Sequence, residues 1–276
     1  MNKKSITFTN HKPCRLNAID MKKLLPILTA ALMLCSCSVL SNVNWNADAL
    51  TSAAGKAAVA ASITDEQIVE LCRQSVAQLD AENVIETGKY HQRLMKLVSP
   101  ITDPGLKLNY KVYKKDEINA FACGDGSVRV YTGLMDLMDD NELLAVIGHE
   151  IGHVVNRDSK RAMKKAYMNS AIRDAVASAG SLGAVTSSLL GDLGEAYLNS
   201  QFSQKQELAA DEYGFNFTVS NGYSPYSMGN ALSKLVTKSS QQQSKIQQMF
   251  SSHPDAALRA QKMKEKADAY AAVYKK

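Results

Sequence analysis

The sequence predicts an α+β fold that is mainly helical, with a small antiparallel sheet. Two patterns carry this prediction. Apolar residues recur at helical spacing before residue 100 and after residue 139, whereas between residues 106 and 131 they alternate with polar residues at a period of two. The chain has 276 residues, of which 45% are hydrophobic. It therefore has enough apolar surface to bury a sizeable core.

The net charge of +5 is concentrated at the N-terminus. Residues 1–36 contain six lysine and arginine residues against one acid, and the remainder holds 26 basic and 26 acidic residues. A chain with such a balanced charge does not have the electrostatic footprint of a nucleic-acid-binding protein. We therefore expect no nucleic-acid partner.

Residues 21–36 have the pattern of a lipoprotein signal peptide. Met21 is followed by two lysines and then by an apolar stretch too short to span a bilayer permanently. The stretch ends in Leu34-Cys35-Ser36-Cys37, which resembles a bacterial lipobox and predicts acylation of Cys37. Ordinary secretory cleavage near Ser36 is the alternative.

This interpretation divides the chain into four parts. Residues 1–20 are interpreted as an upstream start artefact, residues 21–36 as the signal peptide, residues 37–62 as a lipidated tether, and residues 63–276 as the folded domain. Several acyl chains on one cysteine anchor a protein stably. The residue after the acylated cysteine is Ser38 and not Asp, which favours the periplasmic face of the outer membrane of a Gram-negative bacterium.

Two cysteines, Cys72 and Cys123, remain in the predicted mature chain. Disulfides persist in the periplasm, so a bridge between these two residues is predicted. Two buried free thiols are the alternative, because the sequence does not show whether the side chains lie close together.

Local patterns place the secondary-structure elements. Capping boxes begin two helices, at Thr64 to Gln67 and at Asp139 to Glu142. A further helix is expected at 88–99, and strands at 106–112, 119–123 and 127–131, of which the last two flank a Gly-Asp-Gly turn. Residues 175–194 contain four glycines and are interrupted too often to span a membrane. From residue 195 onward the chain is helical in character.

The segment His149-Glu150-Ile151-Gly152-His153 lies within the helix that begins near Asp139. Histidines four residues apart share one face of a helix, so both imidazoles can reach one metal ion, and zinc suits them. Glu150 is rotated by about 100° along the helix. This places Glu150 beside the metal, where it can take a proton from water as a general base.

A catalytic zinc ion needs a third protein ligand and an open position. The best candidate is Glu207, which lies four residues before Asp211 and therefore on the same helical face. Asp211 is then placed to accept the second N–H of a metal-bound histidine, which would fix the orientation of that ring.

At this point the chain resembles a known family, the gluzincin metallopeptidases of the HtpX and CAAX-protease type. The resemblance extends over roughly residues 64–265. The motifs that carry it are Asn119-Ala-Phe-Ala122, Arg129-Val-Tyr131 with Gly133-Leu134-Met135, Val146 to Val154, Asn199-Ser-Gln-Phe-Ser203, Glu207 to Asp211, and His253-Pro254 with Arg259.

Membership in that family implies a zincin-like metallopeptidase domain at 63–276. It further implies one Zn2+ ion held by His149, His153 and Glu207, with Glu150 as the base. The chain departs from the family at Arg157-Asp158, where Arg-His is common, so no role is assigned there.

The resemblance also implies three further features of the site. His253 would come close to the metal, either to stabilise the oxyanion of the tetrahedral intermediate or to occupy the open metal position in a resting state, and Arg259 would assist it. A loop histidine beside a turn proline is the alternative. The strand at 127–131 is the candidate substrate edge. Its residues are Ser127, Val128, Arg129, Val130 and Tyr131.

These observations together predict an outer-membrane-anchored periplasmic zinc endopeptidase. The resemblance implies that it degrades misfolded or misassembled envelope proteins, as a quality-control enzyme. Two alternatives stay open: a chaperone or assembly factor for outer-membrane proteins in which proteolysis is latent, and a self-inhibited protease that a regulatory partner protein unlocks.

Overall fold

The computed structural model describes residues 63–101, 105–170, 172–174 and 185–274. The predicted signal peptide, Cys37 and the tether lie outside these residues. No helix in the described ranges is long and apolar enough to cross a bilayer.

The described chain contains mostly helices, with four short strands in its first half. The helices are α1 (Asp65–Glu82), α2 (Lys89–Val98), α3 (Thr132–Leu137), α4 (Asp140–Val155), α5 (Asp158–Met168), α6 (Ser187–Leu198), α7 (Gln204–Ser220), α8 (Ser227–Gln241), α9 (Gln243–Ser252) and α10 (Ala256–Tyr274). The strands are β1 (Ile85–Glu86), β2 (Asn109–Tyr113), β3 (Ala120–Ala122) and β4 (Ser127–Tyr131).

The mainly helical α+β fold class is confirmed, as are both predicted capping boxes. The side chain of Thr64 accepts a hydrogen bond from the backbone N–H of Gln67, and the side chain of Gln67 accepts one from the backbone N–H of Thr64. Asp139 and Glu142 form the same reciprocal pair at the start of α4. These interactions are local, so the sequence places both helix starts correctly.

The sheet has the strand order β1-β2-β4-β3 and is mixed. β1 and β2 are antiparallel, as are β3 and β4, whereas β2 and β4 are parallel. The prediction of a purely antiparallel sheet is therefore wrong for this central pair. The physical reason is that β4 lies beside β2, although β3 precedes β4 in the chain. The alternation of apolar and polar residues along a strand does not encode which strand is its neighbour.

The two faces of the sheet contribute to different parts of the core. Val112, Val128 and Val130 pack with α2 and α4 on one face, and Tyr113 and Tyr131 pack with α1, α5 and α6 on the other. Residues of β4 are consequently buried along the whole strand. The prediction that β4 is a substrate edge is therefore wrong, because β4 is paired on both sides.

Asp80 joins α1 to the sheet through three side chains. Its carboxylate accepts hydrogen bonds from Arg129 Nε at 2.7 Å and Nη2 at 2.9 Å, from Lys111 Nζ at 2.7 Å and from Tyr113 Oη at 2.8 Å. Burial raises the pKa of Asp80, but these hydrogen bonds outweigh it and leave the pKa below its ordinary value. Arg129, which was predicted to line a substrate edge, is part of this network.

Substitution of Asp80 by Asn is expected to lower the free energy of unfolding at neutral pH by about 3 kcal/mol, because Arg129 keeps its burial and loses its counterion. The lowered pKa stabilises the folded state at pH values above the ordinary carboxyl pKa, and this contribution disappears as the pH falls through the folded-state pKa. Urea unfolding should therefore separate wild type from Asp80→Asn at pH 7, and the difference should be smaller at a pH well below the ordinary carboxyl pKa. Asp192→Asn, on the surface of α6, is the control. An equal difference at both pH values would contradict the assignment.

Cys72 of α1 and Cys123, which follows β3, are free and buried. Burial and a hydrogen bond with the Cys72 thiol raise the pKa of Cys123. The structure thus has the free thiols that were the alternative to the predicted bridge. Their place inside the apolar core explains this arrangement, since buried cysteine packs as a small apolar side chain.

Candidate metal centre and active site

Helices α4 and α7 cross at direct backbone contact, and this crossing positions the candidate ligands. A Cβ atom at Gly214 would lie 2.9 Å from the backbone nitrogen of His149. A Cβ atom at Gly152 would lie 3.1 Å from Cα of Ala210. Only glycine permits such an approach, so the two helices hold their side chains at a fixed separation.

The crossing brings His149 and His153 of α4 against Glu207 of α7, all three buried. Nε2 of His149 and Nε2 of His153 are 3.1 Å apart. Oε1 of Glu207 lies 3.2 Å from Nε2 of His153, and Oε2 lies 3.7 Å from Nε2 of His149. Metal bonds of about 2.0–2.2 Å in tetrahedral geometry require ligand atoms about 3.3–3.6 Å apart. The three side chains therefore form a buried group that can hold a metal ion.

The charges around this group also fit a cation. Four carboxylates are buried there, and the guanidinium of Arg259 is buried beside them. The carboxylates belong to Glu150, Asp158, Glu207 and Asp211. Buried charges of one sign are costly unless they are compensated. A divalent ion reduces the excess of negative charge.

Asp211 and Arg259 support the first histidine and the glutamate. Oδ1 of Asp211 lies 2.9 Å from Nδ1 of His149, a position from which a carboxylate can orient the ring. Arg259 donates to both oxygens of Asp211, from Nη2 at 2.6 Å and from Nε at 2.8 Å. Its Nη1 forms an ion pair with Oε2 of Glu207. Arg259 thus clamps two acids of α7.

Asp158 supports the second histidine, a contact that sequence reasoning missed. Its Oδ2 lies 3.1 Å from Nδ1 of His153, and its side chain is 1% exposed. The sequence contains one signal, an Asp three residues after the end of the motif helix. Its proximity to His153 depends on the turn after α4, which the sequence does not define.

Glu150 points into a cleft beside the three ligands. Its Oε1 is buried, has no hydrogen-bond partner among the described residues, and lies 3.7 Å from Nε2 of His253. The cleft is lined on one side by β3 and on the other by the residues Tyr197, Phe202, Ser252 and His253. An ionisable oxygen that lacks a partner in such a cleft is available to take up a proton.

β3 is one of the two edge strands of the sheet and packs against α4. Asn119 O and Cys123 N bond to β4, so by the antiparallel alternation the main-chain groups of Ala120 and Ala122 point away from β4. The oxygen of Ala122 accepts hydrogen bonds from Ser159 Oγ at 3.0 Å and from Tyr197 Oη. Tyr197, which the sequence did not single out, therefore fixes the edge strand beside the cleft.

His253 follows α9 and lies among the candidate ligands. Its Nδ1 is 3.0 Å from Oε1 of Glu207 and 3.4 Å from Nε2 of His149. Its backbone N–H is donated to Met249 O, which fixes it at the C-terminal end of the helix. The structure thus brings His253 into the group that could hold a metal ion. This position is the one required if His253 occupies the open metal position in a resting state.

Burial and neighbouring charges move the pKa values of the two motif histidines in opposite directions. Burial lowers the pKa of His149 despite the carboxylate of Asp211. Burial also acts to lower the pKa of His153, but hydrogen bonds to Asp158 and Glu207 outweigh it and raise the pKa to about 9. Metal ligands must be deprotonated, so metal binding displaces a proton from His153.

Comparison with known proteins agrees with this geometry. Residues 85–267 match the sequence family described as Peptidase family M48. The chain is 37% identical to Metalloprotease LoiP of Escherichia coli (strain K12), over 91% of this chain and 98% of that protein. It is 35% identical to Metalloprotease YcaL of the same strain, over 90% and 97% of the two chains.

A more distant similarity covers part of a longer protein. The chain is 29% identical to the beta-barrel assembly-enhancing protease of Escherichia coli O157:H7, over 62% of this chain and 38% of that protein. The match to the family covers more than half of the chain, and it includes the buried His149, His153 and Glu207. This chain therefore belongs to peptidase family M48 and is a metalloprotease.

Proposed function

We propose that the chain is a zinc metalloendopeptidase that hydrolyses misfolded or misassembled envelope proteins. The observation that carries the proposal is the orphaned oxygen of Glu150 beside two histidines and a glutamate at ligand spacing. Two imidazoles and one carboxylate favour zinc among the common divalent ions.

In the proposed mechanism, His149, His153 and Glu207 hold the ion and Glu150 moves the proton. The chemistry that bound zinc supplies is Lewis acidity, which polarises the scissile carbonyl and lowers the pKa of the attacking water. Oε1 of Glu150 takes the proton of that water and returns it to the leaving nitrogen. Asp211 and Arg259 keep the first histidine and the glutamate in place.

β3, and not the interior strand β4, is the edge strand with which we expect the substrate to pair. An extended peptide that pairs with the carbonyl oxygen of Ala120 and the N–H of Ala122 would lie along the cleft that contains Glu150. The other two outward groups are already bonded within the chain, since Ala120 N donates to Asn119 Oδ1 and Ala122 O accepts from Ser159 and Tyr197. Main-chain pairing makes little demand on the side chains of the peptide. This supports unfolded polypeptides as the substrate class.

A second candidate is a self-inhibited protease, or a chaperone with latent proteolysis. It is favoured by the position of Nδ1 of His253, which lies 3.0 Å from Glu207 and so within the ligand group. Held there, His253 would fill the open position that a substrate needs. A regulatory partner would then have to withdraw His253.

Digestion of an unfolded protein by the purified full-length chain tests both candidates. We expect cleavage that a chelator abolishes and that added zinc restores, because the metal activates the water. If His253 plugs the site, His253→Ala should cleave faster than wild type. If His253 stabilises the oxyanion, His253→Ala should cleave more slowly, by about 10²–10³-fold. Cleavage that continues in the presence of the chelator would contradict the proposed metalloprotease mechanism. Suppression of substrate aggregation without cleavage would favour the chaperone.

We further propose that Cys37 carries the lipid anchor, on the periplasmic face of the outer membrane. The support is the lipobox-like sequence alone, since Cys37 lies outside the described residues. Cys37→Ser is expected to move the chain from the membrane fraction to the soluble periplasmic fraction, whereas Cys35→Ser should stay with the membranes. A Cys37→Ser protein that remains membrane-bound would refute the anchor.

A further inference from the structure

Asp158 occupies an unusual position between two helices. Arg157, the residue before it, adopts a left-handed conformation with φ of 60° and ψ of 20°. This conformation is uncommon for residues other than glycine and turns the chain sharply. Helix α4 therefore ends at Val155 and α5 begins at Asp158, with the Asp158 side chain directed back toward His153.

The Asp158 side chain contacts one residue of its own helix and two residues outside it. Arg157, the N-cap residue of α5, makes no side-chain cap hydrogen bond, and Asp158 is the acid in the first turn of this helix. Oδ2 lies 3.1 Å from Nδ1 of His153, and Oδ1 accepts a hydrogen bond from Nε2 of Gln206 at 2.8 Å. Arg161 forms an ion pair with the same carboxylate.

Gln206 extends this contact to the helix that carries the third ligand. Its Oε1 accepts hydrogen bonds from the backbone N–H of Ser203 at 2.9 Å and from the hydroxyl of Ser203 at 2.8 Å. Ser203 caps α7 in the same reciprocal arrangement. The side chain of Gln206, the residue before Glu207, thus joins Asp158 to the first turn of α7.

We propose that Asp158 is a positioning residue that fixes the ring of His153 and, through Gln206, ties that ring to the N-terminus of α7. Asp211 and Arg259 support the other side of the site, so each histidine has its own carboxylate. The inference rests on the proposed metal site, and it concerns the geometry of His153 and Glu207 before any substrate binds.

Zinc affinity of the full-length protein tests this proposal, measured by competition with a chromophoric chelator. Loss of a carboxylate that orients a metal-bound histidine costs about 10–100-fold in metal affinity, and we expect a loss of this size for Asp158→Ala. Asp158→Asn should lose less, because its amide oxygen still accepts the Nδ1–H of His153 without a charge. The control is Asp65→Ala, which removes an exposed acid of α1 that pairs with Arg157, the N-cap residue of α5, and with Lys160 of α5. This variant should bind zinc as wild type does.

Thermal unfolding of the metal-free variants separates positioning from a purely structural role. A drop in melting temperature with unchanged zinc affinity in either Asp158 variant would overturn the proposal. If Asp158→Ala does not fold, Asp158→Asn decides, and wild-type zinc affinity in that variant would likewise overturn it. A wild-type protein that binds no zinc would instead overturn the proposed metal site, and this inference with it.

Discussion

Glu150→Gln is expected to lower kcat by about 10²–10⁴-fold while zinc content stays at the wild-type level. Glutamine has nearly the same shape as glutamate, so the packing of α4 should not change. The amide, however, cannot take a proton from water. Since Glu150 lies beside the ligand group and is not part of it, its substitution should remove the chemistry and leave the metal.

Peptide hydrolysis and metal analysis on the same preparation check this expectation. Glu212→Gln is the matched control, because Glu212 lies on the neighbouring helix α7 and is exposed, with an ion pair to Lys266. It should retain wild-type kcat. A Glu150→Gln enzyme with kcat within a few-fold of wild type would mean that another group takes the proton. Loss of zinc in this variant would mean that Glu150 is a ligand.

Glu207→Ala is expected to abolish stoichiometric zinc binding and activity together. Catalytic zinc sites in proteins use three protein ligands. The substitution removes the carboxylate ligand, and also the group that lies 3.0 Å from Nδ1 of His253 and keeps this histidine among the ligands. It also removes one partner of Arg259, which is buried and keeps only Asp211 as counterion. A buried guanidinium with reduced compensation is destabilising, so the melting temperature should fall as well.

Zinc content after dialysis against a defined low zinc concentration measures the first effect. Glu207→Gln keeps the side-chain volume and an oxygen that faces Arg259, so it separates loss of the ligand from loss of the fold. We expect Glu207→Gln to melt nearer to wild type and still to lose zinc. Glu212→Ala, five residues further along α7, is the control that should keep both. Full zinc occupancy in Glu207→Gln would remove Glu207 from the ligand set.

The sequence alone determined the features that depend on neighbours along the chain. The capping boxes at Thr64 and Asp139 use residues three apart, and the shared face of His149 and His153 follows from helical periodicity. The pairing of Glu207 with Asp211 has the same origin, since residues four apart on a helix point the same way. These relations hold wherever the helix lies in the fold.

Tertiary structure decided what the periodicity of a single element does not encode. The alternation of residues along a strand shows which of them face the core, but it does not show which strands are neighbours in the sheet. The sequence therefore predicts β4 as the edge strand beside the cleft, whereas β3 has that place. The contact between His153 and Asp158 depends on the left-handed conformation of Arg157. Neither a glycine nor an asparagine occupies this position, so the residue type does not indicate that conformation. Tyr197 reaches the oxygen of Ala122 only because α6 packs against α1 and α5. The sequence alone thus predicts the metal-binding group and the proposed base, while long-range packing places the side chains that contact them and the strand that lies beside the cleft.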